Sequence, residues 1–255
     1  EAYTEKNLRE RIAYTIERQI ALGVTRFDTN LDATPDLPQD GLLVIHVGRD
    51  LKKLYRERGF DLRFAPTPIF GFKPDTRHKR TRWEVFQEAA GICDYLSLLP
   101  EKDDLREEGG RIGFKQHARK GIELARTLNK EVQFHVDQMN VPSECGTEWL
   151  LDVLDVLDYA PGDGEPLVWV IHMISPSGYT ESRFARLIER LLYHNVGVII
   201  CPTAALSMRQ LRSVIAPTHN SIARMLELLK QRVPIRLGTD NIEDAFVPQA
   251  DGDML

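Results

Sequence analysis

Three residues able to hold a divalent metal stand in like settings along the chain. His135 lies in Glu131-Val-Gln-Phe-His-Val-Asp-Gln138, His172 in Val168-Trp-Val-Ile-His-Met173, and Asp240 in Ile235-Arg-Leu-Gly-Thr-Asp-Asn241. Each follows a short run rich in β-branched or aromatic residues, the composition of a strand. Imidazole nitrogen and carboxylate oxygen suit zinc, iron or manganese. A metal so held lowers the pKa of water until it becomes a nucleophile near neutral pH. Other residues occupy comparable places: Asp32, the Pro68–Phe72 stretch, Glu101 with Asp103, Asp137 with Gln138, and Thr203 with Ser207. The blander alternative is that one histidine near a strand end is a satisfied polar residue, and that Asp137 and Asp240 cap the helices that follow them. Three potential ligands at matching depths on three separate strands weigh toward a metal. His46, His78, His117, His194 and His219 fall on expected helices or loops and are taken as solvated or structural.

The elements that must position these residues alternate. Strands are expected at Thr25–Leu31, Leu62–Ile69, Tyr95–Leu99, Glu131–Val136, Leu167–Ile174, Val196–Cys201 and Ile235–Thr239. Successive starts are 29 to 39 residues apart, room for a strand, a crossover helix and two loops, so the strands should be parallel. Helical periodicity marks Leu8–Leu22, where Leu8, Ile12, Ile16 and Ile20 fall on one face and Gly23 is a natural stop. Lys115–Leu128, Thr147–Leu157, Glu181–His194 and Ser221–Gln231 share the pattern, and Gly41–Arg58 is taken as helix although Leu42–His46 alone would suit a strand. The charge run Glu101–Glu108 reads as a solvated helix start. Seven such units suggest an α/β chain folded as a (β/α)8 TIM-type barrel lacking one unit. The rival is an open doubly wound sheet, but no phosphate-binding glycine loop follows the first strand, which leads into Asn30-Leu-Asp-Ala-Thr-Pro35.

Bulk properties narrow the function. The chain has 255 residues, 42% hydrophobic and 28% charged, and 33 basic against 38 acidic side chains give a net charge of −5. A mildly acidic chain lacks the basic footprint of a nucleic-acid binder. No apolar run approaches the ~18 residues of a membrane helix. Cys93, Cys145 and Cys201 are far apart with no C-x-x-C pair, which favours a reducing compartment over a disulfide framework. Together these fit a cytoplasmic enzyme acting on a small molecule, with neither nucleic acid nor membrane as partner.

Four segments then carry a resemblance. Gly23-Val-Thr-Arg-Phe-Asp-Thr-Asn-Leu-Asp32, Phe134-His-Val-Asp-Gln138, Val170-Ile-His-Met173, and Leu237-Gly-Thr-Asp-Asn-Ile-Glu-Asp-Ala-Phe-Val-Pro248 running into Gly252-Asp-Met-Leu255 resemble the second-, fifth-, sixth- and eighth-strand segments of the amidohydrolase superfamily. The likeness is to its cytosine deaminase and N-isopropylammelide amidohydrolase branch. It implies one divalent metal, ligated by His135, with Asp240 binding the metal or its water and His172 as a ligand or as a hydrogen-bond donor to the attacking water. Asp240 would accept that water's proton. The implied reaction is hydrolytic deamination of a small nitrogen heterocycle, in a homo-oligomer. The family's first strand carries His-x-His, which occurs nowhere in this chain, so strand 1 is expected before Glu1. The flanking β-sandwich is likewise expected outside the segment, leaving residues 1–255 as a single, incomplete barrel domain.

One position departs from the cytosine deaminases: Gln138 stands where they have a glutamate that moves protons to the ring. An amide is no general acid. Either Asp137 or another group supplies that proton, or the substrate needs none there, and Gln138 binds a substrate carbonyl or ring nitrogen. Asn241, and Ser207 and Arg209 after the seventh strand, are further substrate-binding candidates. Phe70, Phe72 and Trp149 would either stack on a heterocycle or pack. Asp32 is taken as supporting, and Cys201 has no obvious partner base. The alternative function is a non-catalytic amidohydrolase-like protein, with an incomplete metal site, that binds a ligand or serves an assembly.

Overall fold

A computed structural model describes residues 3–104, 110–159, 162, 164–202 and 222–240. The chain divides into two compact units, residues 1–132 and 133–255.

In the first unit, helix α1 (Glu5–Ala21) is capped by Thr4, whose hydroxyl accepts the Asn7 N–H at 3.3 Å. Strand β1 (Arg26–Asp32), helix α2 (Leu43–Arg56) and strand β2 (Asp61–Thr67) form a βαβ unit. β1 and β2 pair in parallel from Arg26↔Asp61 to Asp32↔Thr67. α2 buries Leu43, Val44, Ile45, Val47, Leu51 and Tyr55, which resolves the ambiguous stretch in favour of helix. Its Gly48 is needed for contact: a Cβ there would stand 2.5 Å from Leu31 Cδ1 on β1. Helix α3 (Arg82–Ile92), strand β3 (Leu96–Leu98), a 3-10 turn (Pro100–Asp103) and helix α4 (Phe114–Leu128) complete the unit.

α3 is absent from the sequence expectation, because the basic stretch before it masks its start. Its signal is the capping box, in which Thr81 and Glu84 bond each other's backbone N–H. The run beginning at Glu101 is corrected as well. Rather than starting a solvated helix, it enters the 3-10 turn, and Asp103 is fully buried.

In the second unit the strand order is β4 (Val132–Val136), β5 (Val168–His172), β6 (Val196–Ile200), β7 (Ile235–Leu237). β5 and β6 are parallel from Val168↔Val196, and β6 and β7 from Val198↔Ile235. Every residue of β5 and β6 is buried, as for parallel strands covered on both faces. Gly197 makes room for Trp169, whose ring lies 2.4 Å from where a Cβ would sit. Helices α5 (Gly146–Val156), α6 (Glu181–Tyr193) and α7 (Met225–Lys230) fall in the crossovers. Among the described residues, no helix is long and apolar enough to cross a membrane.

Candidate metal centre

His135 is the penultimate residue of β4 and His172 the last of β5, so both rings stand at the C-terminal ends of adjacent strands. β5 was expected to run to Ile174. It stops at His172 because His172 (φ 77°) and Met173 (φ 48°) turn left-handed. Such backbone costs non-glycine residues roughly 1–3 kcal/mol each and persists only where its surroundings enforce it. Here the end of β4 enforces it. The Met173 N–H donates to the Val136 carbonyl at 3.3 Å, and the Ile174 and Ser175 N–H groups both donate to the Asp137 carbonyl at 3.0 Å.

The result is a close pair. His135 Nδ1 and His172 Nε2 lie 3.3 Å apart, with ring centroids 5.4 Å apart and planes inclined at 50°. Burial drives both rings toward the neutral form. His135 falls to about 3, with the neighbouring His172 adding to burial and Asp240 opposing it. His172 falls to about 4 through burial. A neutral imidazole keeps one lone pair, the form that ligates metals. Two nitrogens bound at 2.0–2.1 Å to one tetrahedral metal must lie roughly 3.3 Å apart, which is the spacing of this pair. His172 Nδ1 is buried and has no hydrogen-bond partner among the described residues. The donor set and its spacing fit a divalent cation.

Asp240 follows β7 in left-handed backbone (φ 58°) and is half-buried. It acts on His135 electrostatically but stands back from the pair, because the ligand atoms of the three residues do not all lie within 4.8 Å of one another. Its backbone N–H bonds the Cys201 thiol, which burial pushes up to about 12, so that thiol is no nucleophile at neutral pH.

Asp137 is not placed to supply a proton. Both carboxylate oxygens face the start of α5, accepting the Gly146 N–H at 2.7 Å, the Thr147 N–H at 2.8 Å and the Thr147 hydroxyl. Burial raises its pKa and these donors lower it. Gln138, next in line, is half-buried. Asn241, Ser207 and Arg209, with Thr203, lie outside the described residues.

The aromatic candidates separate. Phe72 is core, its ring stacked on His117 at 4.2 Å between centroids; Phe70 is exposed beside Arg82, and Trp149 on α5 is half-buried. Asp32, at the end of β1, meets the Tyr3 hydroxyl at 3.4 Å, and burial raises its pKa. His117 and His194 are buried structural residues, paired with Asp103 at 2.6 Å and Asp155 at 2.7 Å.

The sequence reading missed two groupings. Buried Arg82 is clamped by Asp36 at 2.9 Å and Asp75 at 2.8 Å, with His78 and Arg77 on the same carboxylates. Glu144 and Ser175 form a buried pair beside the strand ends. Arg82 with Asp36, and Ser175 with Glu144, are too far apart in sequence for a local spacing to reveal them. The nearest signal is the capping box that starts α3 at Arg82.

No family model matches the chain. An uncharacterized protein of Haemophilus influenzae is 27% identical over 221 residues, covering 87% of this chain and 73% of that protein. Among solved structures, 5-methylcytosine deaminase from Klebsiella pneumoniae liganded with 5-fluorocytosine matches with a TM-score of 0.82 at 20% identity, over 98% of this chain and 56% of that one. N-isopropylammelide isopropylaminohydrolase from Burkholderia multivorans matches at 0.69 and 17%, over 92% and 52%. An adenosine deaminase from Xanthomonas campestris with bound zinc matches at 0.58 and 17%, over 97% and 48%. This chain spans about half the length of these solved relatives. The likenesses show the fold: the parallel α/β architecture implied by the amidohydrolase resemblance is that of deaminases and aminohydrolases such as these.

Proposed function

We propose that this chain, built on that fold, is part of a metal-dependent hydrolase that cleaves a C–N bond, deaminating a small nitrogen heterocycle. The observation that carries the reading is the pair of neutral imidazoles, 3.3 Å apart between nitrogens, on adjacent strand ends. His135 and His172 would hold one divalent metal, zinc, iron or manganese, with Asp240 beside them. The metal supplies Lewis acidity that makes water nucleophilic near neutral pH.

The chain's own residues do the rest. Asp240, which acts electrostatically on His135, accepts the proton released by the attacking water. Gln138 cannot protonate a ring nitrogen; its amide orients the substrate by donating to a carbonyl or ring nitrogen and accepting from a ring N–H. Asn241, Ser207 and Arg209 are proposed to contact the substrate's polar substituents. The three cysteines are free, and we assign the activity to the reducing cytoplasm, in a homo-oligomer.

The test is metal analysis of the full-length protein together with an ammonia-release assay across aminated pyrimidines, purines and triazines. The expected result is one divalent metal per chain and turnover of one substrate class, with both lost in His135→Ala. A protein with no metal affinity refutes the reading and leaves a ligand-binding relative of the fold. Turnover that survives His135→Ala refutes the metal assignment.

A further inference from the structure

We propose that Ser175 and Glu144 are positioning residues of this metal centre, holding the ends of β4 and β5 so that His172 stays beside His135 and the backbone around Gln138 stays in place; this rests on the metal-dependent reading above. Ser175 lies three residues after His172 and is fully buried. Its hydroxyl donates to Glu144 Oε2 and accepts the Val141 N–H at 3.0 Å. The same Glu144 oxygen accepts the Met139 N–H at 3.0 Å. Two side chains therefore fasten the backbone on the far side of Gln138, while the Ser175 N–H fastens the Asp137 carbonyl on its near side.

Glu144 is itself anchored. Its carbonyl accepts from the Tyr179 hydroxyl and from Arg183 at 3.2 Å, and Arg183 on α6 also binds the Pro142 carbonyl at 2.6 Å and the Glu148 carboxylate. The chain of contacts runs from α6 through Glu144 to Ser175, and from there to the left-handed His172–Met173 step. A carboxylate only 8% exposed is costly unless its oxygens are bonded. This one spends its bonds on a loop that has no other buried anchor for the Met139 and Val141 N–H groups among the described residues. Without the Ser175 hydroxyl, the Val141 N–H loses its acceptor and Glu144 its O–H donor, so the loop after Gln138 is no longer tied to the end of β5.

The test is zinc affinity of the full-length protein at pH 7.5, by competition with a chromophoric chelator, alongside the melting temperature of the metal-free form. Ser175→Ala should weaken zinc binding by about tenfold or more, in line with the 10- to 100-fold typical for residues that support ligands. Ser175→Thr, which keeps the hydroxyl, should restore it. Glu144→Gln, should Ser175→Ala fold poorly, should also weaken zinc. Asp155→Asn, which loosens the His194 and Arg190 contacts, should lower the melting temperature and leave zinc affinity unchanged. Wild-type affinity in Ser175→Ala, or a zinc loss that merely follows melting temperature across all variants, overturns the positioning role while the metal reading stands. Absence of zinc binding by the wild-type protein overturns both.

Discussion

The depressed histidines make folding stability depend on pH in a way that can be calculated residue by residue. In the unfolded chain a histidine titrates near 6.5, whereas in the metal-free fold His135 titrates at about 3 and His172 at about 4. Below pH 6.5 the unfolded state therefore binds protons that the folded state refuses, so stability is full above 6.5 and is lost as pH falls toward the folded values. Between pH 7.5 and 5.0 each ring accounts for about 2 kcal/mol of lost stability, or about 4 kcal/mol for the pair. His172→Gln should remove one share. The urea-unfolding free energy of the metal-stripped variant should fall by about 2 kcal/mol less than wild type over that interval, because the carboxylates and other groups titrate alike in both. His135 stays buried in either protein, and burial is the larger cause of its lowered pKa, so most of its share persists. Identical pH dependence in wild type and His172→Gln would mean that the His172 ring titrates normally, and the argument for a desolvated, neutral metal ligand would fail.

Two further substitutions probe the frame around the site. Asp137→Ala removes a buried acceptor from three donors and leaves the Gly146 and Thr147 N–H groups unpaired. It should cost about 2–3 kcal/mol in urea unfolding, and a loss under 0.5 kcal/mol would show that the cap is dispensable. Gly197→Ala places a Cβ 2.4 Å from the Trp169 ring. That overpacking should cost about 1–3 kcal/mol, seen as a lower melting temperature and changed tryptophan fluorescence.

Much of the fold was legible because parallel strands bury both faces, so β5 and β6 appear as apolar runs regardless of their neighbours. α3 escaped because its clearest mark is a reciprocal cap at Thr81 and Glu84 rather than an apolar stripe. Arg82 reads as a solvated charge, yet it is only 3% exposed, since two aspartates from separate loops close on its guanidinium. No local pattern encodes that meeting. Asp103 was misplaced for the same reason: a carboxylate in a charged run becomes buried when the Phe72 N–H and the His117 ring both bond it.

At the site, the sequence supplied residue types and strand-end positions, and the structure adds the reason two histidines meet. His172 alone is a weak signal, since a single histidine after an apolar run has many structural uses. What distinguishes it is a left-handed turn at its own α-carbon, continued at Met173, a conformation that residues other than glycine seldom adopt. The turn is sustained by carbonyls of Val136 and Asp137, which immediately follow the other histidine. The hydrogen bonds that stabilise the strained step are thus the same ones that set His135 and His172 side by side. A shift in either strand end would change both the backbone and the nitrogen spacing. That coupling explains why the pair is close enough to share a cation although 37 residues separate them in sequence.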